Sequence, residues 1–109
     1  MEKGKLEDFF SPEEIGNLLR KFFSPINASS MVWNQSGKLV YYDFITPYCK
    51  EIYSAAPGRC EEDRRRRFKR ALKERKPFVH KCFAQKITYV IPLIVKEKGR
   101  EVFIGVAGG

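Results

Sequence analysis

The spacing of apolar residues along the chain changes several times, and each change marks an element. After Ser11-Pro12-Glu13-Glu14, the residues Ile15, Leu18, Leu19, Phe22 and Phe23 recur at helical intervals. The serine, the proline at the first helical position and the glutamate three residues on make a start signal, and Ser24-Pro25 ends the run. Two strand-like runs follow over 30–34 and 38–42, with Gln35-Ser36-Gly37 as the turn of a hairpin. Thr46-Pro47 resembles a second helix cap, opening a short helix that reaches about Tyr53, and Pro57-Gly58 breaks the chain again. Over 60–76 the pattern is helical, with Cys60, Arg64, Phe68, Ala71, Leu72 and Arg75 on one stripe and most arginines opposite. Pro77 closes this helix. Strands are then predicted over about 78–83, 87–95 and 101–107, with a reversal at 96–100. The run 87–95 is apolar on both faces, which predicts a central strand.

The order is helix, two strands, two helices, three strands. It predicts an α+β fold: an antiparallel five-stranded sheet with helices on one face, plus an N-terminal helix. Residues 1–28 read as a helical segment and 29–109 as the domain that follows it. There is no internal repeat and no low-complexity linker. The closing Gly105-Val106-Ala107-Gly108-Gly109 carries no final helix, as expected of a domain cut from a longer protein or of a short natural one.

A length of 109 residues with 43% hydrophobic content suits one domain with a real core, and leaves no room for a sensor plus a separate output module. No run approaches the ~18 apolar residues a membrane span needs. The start Met1-Glu2-Lys3-Gly4-Lys5 lacks a following apolar stretch, so no signal peptide is expected and a cytoplasmic location is. The net charge of +8 is concentrated: residues 59–76 hold ten basic and four acidic side chains, a local +6. Any acidic partner would have to meet that segment.

The three cysteines, separated by 11 and 22 residues, match no disulfide framework and are expected as thiols or ligands. Strand alternation puts Phe78, His80 and Cys82 on one face, the core or pocket side, because Lys81 opposite must reach water. Cys60 opens the basic helix, where the macrodipole favours thiolate; packing at a helix start is the plainer reading. Arg64, one turn on, must reach solvent or meet an anion: a ligand carboxylate or phosphate, or an internal partner such as Asp43 or Glu51. Cys49, Cys60, Cys82 and His80 would suit zinc or an iron–sulfur cluster with one unusual ligand, yet no two cysteines form a C-x-x-C pair. A cysteine-protease arrangement lacks a residue to orient His80. The run Arg64–Arg70 invites nucleic acid, but successive helix positions rotate by about 100°, so a solvated face is the simpler account. Tyrosines such as Tyr89 among apolar residues suit core packing or a small-molecule pocket.

Residues from about 29 to 109 resemble the PocR sensory domain, a PAS-like ligand-binding module of bacterial and archaeal regulators. The resemblance rests on Tyr48-Cys49, Pro57-Gly58-Arg59-Cys60 with Asp63, Lys76-Pro77, Lys81-Cys82 with Ala84, Ile91-Pro92-Leu93, Ile104-Gly105 and Gly108-Gly109. Where the family typically has histidine and then Ala-Gly after the cysteine, this chain has Phe83, Ala84 and Gln85, and Asp63 stands where a second cysteine often follows Cys60. Both departures weaken a metal site. The resemblance implies signal sensing: small hydrocarbon-derived ligands such as short diols, outputs through transcription, kinase or cyclase partners, and no catalysis by the domain itself.

The sequence thus predicts a non-enzymatic sensory domain with a small organic ligand between the sheet and the two middle helices. Cys49, Cys60 and Cys82 are expected to line the site, with His80, Arg64 and Tyr89 as polar contacts. No cofactor is expected; zinc or iron–sulfur sensing on the thiols is the first alternative, and nucleic-acid binding through the basic helix the second. A homodimer through residues 11–24 and a partner protein or output domain are the expected assemblies, with no membrane.

Overall fold

The computed structural model of the protein describes residues 2–23, 25, 29–43 and 46–109, the side chain of Phe23 excepted. In chain order the elements are β1 (Glu2–Lys3), a 3-10 turn (Leu6–Asp8), α1 (Pro12–Phe23), β2 (Met31–Asn34), β3 (Leu39–Tyr42), α2 (Pro47–Ala55), α3 (Pro57–Glu74), β4 (Phe78–Lys81), β5 (Ile87–Glu97) and β6 (Arg100–Gly108). The fold is α+β, with five antiparallel strands in the order β3-β2-β6-β5-β4. A sixth strand absent from the sequence reading, β1, adds two residues in parallel beside Val102 and Phe103 of β6.

The middle of the sheet is β6, not the run 87–95. It pairs with β2 through Met31↔Gly108 to Asn34↔Gly105 and with β5 on its other side, and Val102–Gly108 are buried throughout. Gly105 permits the approach of β2, since a Cβ there would lie 2.2 Å from the Trp33 carbonyl oxygen. Pro92 is tolerated within β5 because β4 ends its pairing opposite Val90, so β5 is already an edge at the proline.

The two faces of the sheet are covered differently. Leu6, Phe9, Ile15 and Leu19, from the 3-10 turn and α1, pack over Val32, Val102 and Ile104. On the other face, Phe68, Ala71 and Leu72 of α3 pack over Val90, Phe103 and Val106, with the Phe68 ring edge-on to Phe103 at 5.6 Å. Each fully buried side chain of this kind stabilises the fold by roughly 1.5–3 kcal/mol. The apolar stripe of α1 therefore divides: Ile15 and Leu19 face the sheet, while Leu18 and Phe22 stand exposed. The proposed stop at Ser24 lies outside the described residues.

Pro57 begins α3 instead of breaking the chain, so the helix starts three residues before Cys60. A proline at the first helical position has no amide to lose and a φ already suited to the helix. Only Ala56 separates α2 from α3. At its far end α3 stops at Glu74; Arg75 adopts a left-handed cap (φ 58°) and is exposed, so it leaves the buried stripe on which the sequence placed it.

Candidate functional site

Beneath α2, between α3 and the sheet, lies a cavity of about 520 Å³. Its walls come from α2 through Tyr48, Cys49 and Ile52, from α3 through Cys60, Asp63 and Arg64, and from the β4–β5 turn through Cys82, Phe83 and Lys86, with Met31 and Trp33 below. A second lobe of about 390 Å³ runs along α3 over Phe68, Val90 and Val106. Trp33, Leu39, Arg64 and Arg67 line both lobes. Each volume is in the range of small-molecule sites.

Three thiols far apart in sequence thus face one chamber, all of them half-buried and free. Their environments differ. Cys49 lies in the first turn of α2, where the capping hydroxyl of Thr46 accepts from its amide at 3.3 Å. Lys86 donates to Cys49 Sγ at 2.8 Å and to Thr46 Oγ1 at 3.3 Å. Burial opposes ionisation of Cys49, but the Lys86 and Thr46 hydrogen bonds and the charges of Lys86 and Arg64 outweigh it and draw this thiol below its ordinary value. Cys60 behaves in the opposite way to the sequence expectation. Because α3 begins at Pro57, Cys60 is one turn inside the helix with its amide bonded to the Ala56 carbonyl. Burial pushes its thiol up, with Arg64 opposing and Cys82, Cys49 and Asp63 adding to the rise.

His80 lines neither lobe. Its Nε2 lies 3.1 Å from both carboxylate oxygens of Asp63, which is buried in α3 and also pairs with Arg67 Nε at 3.2 Å. That contact is an ion pair without hydrogen-bond alignment; Arg67 Nη1 reaches toward Thr88 Oγ1 at 3.5 Å. Burial works against the charge of Arg67, and Asp63 supports it. Arg64 meets neither Asp43 nor Glu51; its guanidinium lies over the Tyr53 ring at 5.7 Å. Tyr89 borders the smaller lobe, but its hydroxyl donates to the Ser29 carbonyl at 2.8 Å. Among the described residues no three His, Cys, Asp or Glu side chains form a metal-holding group, so Cys49, Cys60, Cys82 and His80 do not gather as the ligand set considered above.

The arginine run resolves into separate roles. Arg64 and Arg67 turn toward the chamber, Arg66 pairs with Glu62 at 2.6 Å, and Arg70 pairs with Glu74 and stacks over Phe78. Residues the sequence reading missed are Lys86, Asp63, Arg67 and Trp33. Asp63 and Arg67 fall three and seven positions after Cys60, on the same helical stripe, so the signal was present.

An antiparallel sheet whose first hairpin joins its last strand, roofed by two helices over a chamber, is the build of a PAS-like sensory domain. A family described as the sensory domain found in PocR matches residues 8–104, and the chain belongs to that family of sensory domains. The match takes in α1. Comparison with curated proteins and with solved structures finds no match in either set. No helix among the described residues is long and apolar enough to cross a membrane.

Proposed function

We propose that the protein is a non-enzymatic, cytoplasmic sensory domain that binds a small organic molecule in the two-lobed chamber and signals through a partner protein or output domain. The observation that supports this reading is the convergence of Cys49, Cys60 and Cys82 on a single cavity beneath α2. That helix has no fully buried side chain and is held to the β4–β5 turn by Tyr48, which donates to the Ala84 carbonyl, and by Lys86. Such an element opens at low free-energy cost, as a gate over a ligand must. Ligand binding would then change the packing of α2 and carry the signal.

Native mass spectrometry of freshly purified protein, followed by hydrogen exchange with and without the retained or added molecule, tests this. A bound small molecule and slowed exchange in α2 are expected. If no diol, carboxylate or aldehyde binds and α2 exchange never changes, the reading fails. The same spectrum reports a homodimer through residues 11–24, where Leu18 and Phe22 stand exposed one turn apart. Redox sensing through the thiols is a second reading, favoured by the contact between Lys86 and Cys49.

A further inference from the structure

The chamber is unevenly charged. Lys50, Arg64, Arg65, Arg67, Lys69 and Lys86 border its two lobes, against Glu61 and Asp63. Both carboxylates already have partners: Asp63 holds Arg67 and His80, and Glu61 accepts from the Tyr53 hydroxyl at 3.1 Å. Lys86 is held by Cys49 and Thr46. Arg64 is different. It is half-buried on the wall shared by both lobes, and among the described residues none of its five N–H donors meets an acceptor. Its guanidinium lies over the Tyr53 ring. A half-buried guanidinium without a carboxylate partner offers a fork of donors that suits a carboxylate or phosphate. Apolar surface from Trp33 and Leu39 lies beside it on the same shared wall.

We infer that the ligand is an organic anion whose carboxylate or phosphate is gripped by Arg64 and whose apolar body lies against Trp33 and Leu39. This rests on the chamber being the ligand site. Arg67 cannot serve in its place, because Asp63 already neutralises it. The fork of Arg64 selects the charged headgroup, and the lobes on either side select the length and shape of the body.

Trp33 is the only tryptophan and lies on the chamber wall, so its emission reports occupancy. Titrations at low salt would compare acid–amide pairs graded in size from propanoate to phenylpropanoate, with phenyl phosphate as the phosphate arm. The acid is expected to bind about tenfold to a hundredfold more tightly than its amide, the range for a hydrogen bond to a charged group. Arg64→Gln should abolish the preference for the acid over its amide. Whichever of phenyl phosphate and phenylpropanoate binds more tightly identifies the headgroup. Equal affinity for acid and amide in the unaltered protein overturns the inference while leaving the chamber as a ligand site, and needs no variant to fold. An acid preference that survives Arg64→Gln also overturns it. If no compound changes Trp33 emission, the chamber reading fails together with the inference.

Discussion

Lys86 and Cys49 meet at 2.8 Å, joining the β4–β5 turn to the first turn of α2. The contact sets a lysine donor against a sulfur already favoured by the start of a helix. Cys49 therefore ionises at lower pH than Cys60, whose thiol burial pushes up. Alkylation with iodoacetamide, mapped by peptide mass spectrometry across pH, should label Cys49 at lower pH than Cys60. Lys86→Met should move the Cys49 profile toward higher pH. Identical profiles for the two thiols would contradict the assignment. The sign carries to stability as well: the pair adds stability above the ordinary thiol range, and this is lost as pH falls through the folded value of Cys49.

Asp63 holds two partners in a largely buried setting, with side-chain exposures of 11% for Asp63 and 16% for Arg67. Asp63→Ala would leave Arg67 uncompensated and His80 without its acceptor. Removing one member of a buried pair costs about 3–5 kcal/mol. Urea unfolding should place Asp63→Ala near the lower end of that range, and Asp63→Asn, which keeps an acceptor oxygen, clearly below it.

Gln85 has φ 69° in the turn between β4 and β5. A residue with a side chain in the left-handed region carries a penalty of roughly 1–2 kcal/mol, which glycine avoids while losing more backbone freedom on folding. Gln85→Gly should therefore be neutral to stabilising by up to ~1 kcal/mol, and Gln85→Val destabilising. A chemical-denaturation midpoint that falls for the glycine variant would show that the glutamine side chain has a role of its own.

Gly16 of α1 lies against the Tyr41 ring, and a Cβ there would come within 2.1 Å of a ring carbon. Gly16→Ala raises helix propensity by about 1 kcal/mol, but forcing the ring aside costs typically 1–3 kcal/mol. A net loss of stability is expected, reversed in the Tyr41→Ala background, where the helix preference alone remains. Double-mutant analysis of thermal unfolding separates the two terms.

The legible parts of the fold were those that local chemistry decides. Pro12 and Thr46-Pro47 mark helix starts because caps and fixed φ act within one turn, and the β2–β3 hairpin follows from its turn residues. The central place of β6 was not legible, because its neighbour β2 is about seventy residues away and the apolar run of β5 looks equally suited to the middle. Leu6, wholly buried, gave no signal either: a three-residue 3-10 turn has no period to read.

The site divides in the same way. Cys49, Cys60, Cys82 and Arg64 fall on the chamber, but Cys60 is not at a helix start, because α3 begins three residues earlier than the sequence reads. His80 was placed correctly on the inward side of β4, yet its partner Asp63 draws it behind the chamber wall. Lys86 had no pattern to announce it, since its contact with Cys49 spans 37 positions.

Ala56, alone between α2 and α3, leaves the shorter helix little liberty to slide. On the proposed reading, a guest beneath that helix would turn it about this one residue, as a lever turns on its fulcrum, and the distal end at Pro47, farthest from the pivot, would sweep the widest arc.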